Sequence, residues 1–143
     1  MKLFDVNVLV YALDGGSEHH LRCRAFLESA LLSDEIIAFP WPVLTGLIRT
    51  MTHRAVPQRV DGATLLSVLD SWLRRPNVVT LEPGPQHWAI FREMLETGNA
   101  YGNLTYDAHL AALAVANGAE LCSADADFAR FPRLKWTDPT RAQ

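Results

Sequence analysis

Thr105-Tyr106-Asp107-Ala108-His109-Leu110-Ala111-Ala112-Leu113-Ala114-Val115-Ala116-Asn117-Gly118-Ala119-Glu120-Leu121-Cys122-Ser123 decides the fold class. From Thr105 to Asn117 the alanine-rich run predicts a helix. Gly118 stands where a helix ends in a left-handed residue, and Ala119 to Ser123 predicts a strand directly after it. The same alternation extends outward in both directions. Met1 to Phe4 is a short apolar strand candidate, whereas Val8 to Leu13 is strand or short helix and periodicity does not choose between them. Ser17 is placed to cap a helix carrying Cys23, Phe26, Leu27, Ala30 and Leu31 on one apolar stripe. Glu35 to Phe39 predicts a buried strand, and Pro42 suits the first turn of a helix with Val43, Leu44, Leu47, Ile48 and Met51. After a loop around Pro57, Asp61 caps a helix with Leu65, Val68, Leu69, Trp72 and Leu73, which Pro76 stops. Asn77 to Leu81 is the next strand, and Pro83-Gly84-Pro85 turns into a helix with Trp88, Phe91 and Leu95 inward, ending near Gly98. A helical turn over Asp125 to Arg130 and a strand near Leu134 to Trp136 follow. Strands alternating with helices predict an α/β fold around a mainly parallel sheet, in one domain over residues 1–143.

Composition narrows the class of protein. The 143 residues are 49% apolar and 20% charged, an ordinary globular balance that buries a core without staples. Cys23 and Cys122 make no CxxC pair, fit a reducing compartment and read as core thiols. No basic segment leads into an apolar run with a cleavage site, and no apolar stretch approaches membrane-spanning length, so the expectation is a cytoplasmic protein. With 13 basic against 16 acidic residues the net charge is −3, which taken alone argues against a polyanionic partner.

Three carboxylates qualify that argument. In parallel α/β sheets ligands bind beyond the carboxyl ends of the strands, where Asp5 follows the first strand and Asp125, with Asp127 two residues on, follows the Ala119 to Ser123 strand. Each of these also reads as an ordinary helix N-cap. Asp107 does not. Its helical neighbours Leu110, Ala111, Ala114 and Val115 form the buried stripe, and the helix dipole supplies at most about 1 kcal/mol against the several that an unpaired buried carboxylate costs. A cation or a polar cleft accounts for its place. An all-oxygen set without histidine or cysteine selects a hard ion, Mg²⁺ or Mn²⁺, whose open positions suit phosphoryl transfer or phosphodiester hydrolysis. His109 lies on another helix face from Asp107, and with His19, His20, His53 and His87 it reads as a surface or packing residue. There is no GxxxxGK[ST] or GxGxxG loop, and Asn7 stands where a dehalogenase-like phosphatase needs a second aspartate. Setting aside Asp5, Asp107, Asp125 and Asp127 leaves one fewer acidic residue than the 13 basic ones, so the negative charge is concentrated.

Leu3-Phe4-Asp5-Val6-Asn7-Val8-Leu9-Val10-Tyr11-Ala12, Gly102-Asn103-Leu104-Thr105-Tyr106-Asp107-Ala108-His109-Leu110-Ala111 and Leu121-Cys122-Ser123-Ala124-Asp125-Ala126-Asp127-Phe128-Ala129-Arg130-Phe131-Pro132 together resemble PIN-domain ribonucleases, and among them the VapC toxins of bacterial type II toxin-antitoxin pairs. The resemblance implies a three-layer PIN-like fold. It implies a Mg²⁺-dependent endoribonuclease, with Mn²⁺ as a substitute, whose acidic metal-site residues are Asp5, Asp107 and Asp125, with Asp127 a less constant neighbour. Asn7, Asn103 and Ser123 match polar positions that orient ligands or water. It also implies an RNA substrate, cleavage leaving a 3′-hydroxyl and a 5′-phosphate, a VapB-like antitoxin that supplies a basic side chain to the acidic site, and a homodimer. One departure stands out: the family commonly carries a glutamate on the helix after the second strand, where this chain has Gly46. Loss of that carboxylate predicts weaker metal binding or one firmly held ion. Arg49, Arg54, Arg59, Arg74, Arg75 and Arg130 are candidate phosphate contacts, with Arg49 and Arg130 foremost, and Trp41 and Tyr106 are candidates for stacking on bases. A catalytically degenerate PIN-like module that binds RNA or a partner is the competing reading, and a small-molecule phosphatase on a similar sheet is a third.

Overall fold

A computed structural model describes residues 1–56 and 59–141, so the expected loop at Pro57 lies outside the described residues. Five strands form one fully parallel sheet: β1 (Lys2–Phe4), β2 (Ile37–Pro40), β3 (Val78–Leu81), β4 (Glu120–Cys122) and β5 (Lys135–Thr137), in the order β3-β2-β1-β4-β5. Lys2 pairs with Ile37 on one side and with Glu120 on the other, so β1 is central. Six helices connect them: α1 (Val6–Leu13), α2 (His20–Leu32), α3 (Trp41–Thr52), α4 (Gly62–Leu73), α5 (His87–Thr97) and α6 (Thr105–Ala116). The chain steps outward from β1 to β2 and β3, then returns past β1 to β4. Right-handed crossovers therefore send α1 to α4 to one face and α5 and α6 to the other. In keeping with this, α1 packs on α2 and α3, while α5 packs on α6. This is the α/β architecture with flanking helices expected from the alternation.

The core explains why these segments fold as they do. Leu3, Phe4, Ile37, Ala38, Phe39, Leu121 and Cys122 are sealed between the two helical layers, as continuous apolar runs in a covered parallel sheet must be. The ambiguous run after β1 is a helix: Asp5 is its N-cap, with Oδ1 accepting the Val6 N–H at 2.7 Å. Asp61 caps α4 through the Thr64 N–H, as expected. Gly118 takes φ +61 after α6, the left-handed conformation that ends the helix.

Two local expectations need correction. Helix α2 starts at His20, and the Ser17 hydroxyl accepts from the His19 N–H in the turn that precedes it. Trp88 is 66% exposed, and Met94 takes the innermost position of α5. Phe91 stacks on His87, and the Trp88 indole meets the Phe91 ring edge-on. Both cysteines are free and buried. No helix among the described residues is long and apolar enough to cross a membrane.

Candidate metal centre

The strand order reverses between β1 and β4, and at such a switch point the carboxyl ends of two parallel strands open a crevice. Asp5 leaves β1 there. Ser123 and Asp125 leave β4 there, and the first turn of α6 brings Asp107 alongside.

Asp5 is 7% exposed, and its carboxylate is surrounded by donors. Oδ2 accepts from the Ser123 hydroxyl at 2.7 Å and from Asn7 Nδ2 at 3.0 Å, while Oδ1 takes the Val6 N–H. Ser123 is fully buried. Its Oγ accepts from Asn7 Nδ2 at 3.0 Å and from the Asp125 N–H at 3.1 Å, so every capacity of the hydroxyl is used. Asn7 Oδ1 accepts the Ala124 N–H, which fixes the amide's orientation. The Trp136 indole N–H donates to the Ser123 carbonyl from β5. This network staples the end of β4 to the start of α1, and Asn7 and Ser123 stand where the motif reading put them. Asn103 does not join it: it is exposed in the single 3₁₀ turn Gly102–Leu104 that precedes α6.

One carboxylate oxygen each from Asp107, Asp125 and Asp127 lies within 4.8 Å of the other two. Asp125 caps the 3₁₀ turn Ala126–Arg130, with Oδ1 accepting the Asp127 N–H at 2.8 Å. Asp125 is thus an N-cap and also a member of the acidic group. Of the four expected metal-site residues, Asp107, Asp125 and Asp127 make up this group. Asp127, thought the less constant neighbour, is inside the group, whereas Asp5 stands beside it as a hydrogen-bonded hub.

The electrostatics of the crevice act on Asp107 and Asp5. Burial, then the charges of Asp125, Asp5 and Asp127, push the Asp107 carboxyl up to about 6, with Arg130 opposing. Burial likewise raises Asp5, partly offset by its hydrogen bonds from Ser123 and Val6. Burial, and the charges of Asp5 and Asp107, hold the Tyr106 phenol well above its ordinary value, placing that ring at the rim of the acidic centre.

The remaining candidates divide. Gly46 packs against the start of α1, where an added Cβ would meet Val6 Cγ2 at 3.0 Å, and Thr45 returns its hydroxyl to the Pro42 carbonyl. Arg49 is exposed on α3 and forms no ion pair among the described residues. Arg130 is held by Asp127 and by the Gly98 carbonyl. Trp41 is 47% exposed and Tyr106 40% exposed, so neither is core. His87 and His109 bridge α5 and α6 with Nε2 and Nδ1 at 2.9 Å, and burial lowers both rings toward the neutral form. This is the packing role expected of them. Spacing carries no signal for the Trp136 bond, the Arg130 contact with Gly98 or the histidine pair, because each joins residues from different elements.

The PIN domain family model matches residues 2–134. The chain belongs to the PIN domain family. Over the full length of this PIN domain, ribonuclease VapC43 of Mycobacterium tuberculosis is 40% identical, with 98% of that protein covered. Ribonuclease VapC37 of the same organism is 36% identical over 97% of each chain. Among solved structures, VapBC2 from Rickettsia felis bound to a DNA fragment from its promoter superposes with a TM-score of 0.69 at 23% identity, over 95% of this PIN domain and 96% of that chain. The VapC-type resemblance read from the three motifs is thus borne out.

Proposed function

We propose that this PIN domain is a metal-dependent endoribonuclease and the toxin of a VapBC-type pair. The observation that carries the reading is the convergence of Asp107, Asp125 and Asp127 within 4.8 Å, beside an Asp5 locked by Ser123 and Asn7. Three carboxylates so close repel one another, and a hard divalent cation is what that donor set accommodates; we assign Mg²⁺, with Mn²⁺ as substitute. When bound, such an ion lowers the pKa of a water and neutralises charge on a phosphodiester.

The protein's own residues supply the rest. Asp107, Asp125 and Asp127 would hold the ion, and Asp5 adds a fourth carboxylate whose position Ser123 and Asn7 maintain. Asp125 would orient the attacking water, and the products would carry a 3′-hydroxyl and a 5′-phosphate. Arg49 offers an unpaired cation to the RNA backbone, and Tyr106, at the rim, offers a ring for a base. The centre is open at the strand ends. A cavity of about 260 Å³ between α1, α2 and α4, walled by Leu27, Leu31, Val68 and Trp72, lies away from it. An open acidic surface suits a polymer better than the enclosed small molecule a phosphatase would take. With residues 1–143 as one domain, we assign a cytoplasmic homodimer, silenced by a VapB-like antitoxin whose basic side chain answers the acidic cluster.

The absence of a carboxylate at Gly46 favours the second reading, a degenerate module that binds RNA without cutting it. Incubation of purified chain with structured RNA, in Mg²⁺, Mn²⁺ or EDTA, separates the two. Cleavage that requires metal and falls at least about 100-fold in Asp107→Ala and Asp5→Ala supports the nuclease. Equal cleavage by all three proteins overturns the metal centre. Binding with no cleavage in any condition establishes the degenerate module.

A further inference from the structure

The turn that carries Asp125 and Asp127 is only five residues long and sits between strands of three residues each, so something beyond the sheet must hold it. Arg130 does so. Its Nε donates to the Asp127 carbonyl at 3.2 Å and Nη2 to Asp127 Oδ1 at 3.3 Å. Nη1 reaches the carbonyl of Gly98, the C-cap of α5, at 2.9 Å. Next to it Phe131, 2% exposed, packs on Gly98 so closely that a Cβ there would stand 2.5 Å from Phe131 Cε1 and 2.9 Å from the Met94 carbonyl. The end of α5 thus presents an open carbonyl to the guanidinium and a bare Cα to the ring. Adjacent residues of the acidic turn occupy both.

A guanidinium beside carboxylates that bind a divalent ion repels that ion, so charge alone gives it no useful part in metal binding. Three of its five N–H groups are engaged with protein acceptors in a planar fork, a geometry lysine does not reproduce. We infer that Arg130 is a positioning residue: together with the Gly98–Phe131 contact, it clamps the acidic turn to α5 and sets Asp127, and through its N–H the Asp125 carboxylate, for the divalent cation. This replaces the phosphate contact expected of Arg130. The inference rests on the metal-centre reading of the previous section.

Charge and position predict opposite signs, which makes the test sharp. Mn²⁺ affinity of the full chain is read by electron paramagnetic resonance for wild type, Arg130→Gln, Arg130→Lys and Gly98→Ala, with thermal melts to verify folding. If Arg130 positions the turn, Arg130→Gln binds Mn²⁺ about 10-fold more weakly although a repelling charge is gone, the scale on which supporting residues affect metal sites. Arg130→Lys also weakens binding despite keeping the charge. Gly98→Ala, which changes no charge, weakens it because the new methyl pushes Phe131 and the turn away. Equal or tighter Mn²⁺ binding by folded Arg130→Gln overturns the clamp. So does a loss of RNA affinity in EDTA, read by fluorescence anisotropy, with Mn²⁺ affinity intact, since that is the behaviour of a phosphate contact. Absence of Mn²⁺ binding by wild type overturns the metal-centre reading and the clamp's purpose with it, an outcome distinct from wild-type binding that the variants leave unchanged.

Discussion

Replacing Asp107 by asparagine should make the metal-free protein more stable at neutral pH. The Asp107 carboxyl moves from its ordinary 3.8 to about 6 because burial and the charges of Asp125, Asp5 and Asp127 disfavour its ionised form. With the folded value raised, the stability linked to Asp107 is fully present below pH 3.8 and is lost as pH rises through about 6. For a group sealed from water, a displacement of that size corresponds to about 3 kcal/mol. Asp107 is only partly buried, and solvent screening reduces this to roughly 1–2 kcal/mol. Asparagine keeps the shape without the charge. In EDTA at pH 7.5, Asp107→Asn should therefore melt about 3–8 °C above wild type at equal protein concentration. At pH 4.5 the difference should shrink, because wild-type Asp107 is then protonated. Saturating Mn²⁺ should reverse the order, since wild type gains the free energy of binding an ion that the variant holds poorly. Differential scanning calorimetry over these three conditions is the assay. An Asp107→Asn protein that melts at or below wild type in EDTA at pH 7.5, or a gain as large at pH 4.5, would refute the electrostatic account.

Ser123→Ala removes a hydroxyl that donates to Asp5 and accepts from Asn7 and Asp125, leaving two donors without their acceptor. Urea denaturation should register a loss of about 1–3 kcal/mol, and an unchanged midpoint would show that the staple is not needed. Cys23 and Cys122 are fully buried and their thiols are pushed up to about 11 and about 12, chiefly by burial. Ellman's reagent at pH 8 should release no chromophore from the native protein and two equivalents in denaturant; prompt release from the native form would contradict the core placement.

Much of this architecture is legible because local chemistry and tertiary packing agree. Asp61 before an apolar stripe and Gly118 after an alanine-rich one mark helix ends that the structure keeps. Val8 to Leu13 was ambiguous from periodicity, and a single tertiary fact resolves it: Asp5 lies at the mouth of the sheet, where its side chain caps a helix. Three of the carboxylates announce themselves by following strands or by standing on an apolar helical stripe. Which of them converge is another matter. Asp5 and Ser123 are 118 residues apart, and only the β1–β4 pairing shows that the hydroxyl surrounds Asp5 with donors while Asp127 swings into the group. Trp88 reads as inward because the stripe of α5 includes it, yet Met94 is the residue that the packed helices bury. Arg130 reads as a phosphate contact because its acceptor at the end of α5, the Gly98 carbonyl, lies 32 residues away.

The central place of β1 also governs when the acidic centre exists. During synthesis the first strand emerges early, followed by β2 and β3, so one edge of β1 can pair while the other waits for Glu120–Cys122. Until β4 and the turn after it leave the ribosome, Asp5 lacks Ser123, and Asp107 lacks Asp125 and Asp127. Every nascent intermediate short of β4 is therefore without the assembled carboxylates. A PIN domain built in this order gathers its acidic residues only after the first three strands have been made.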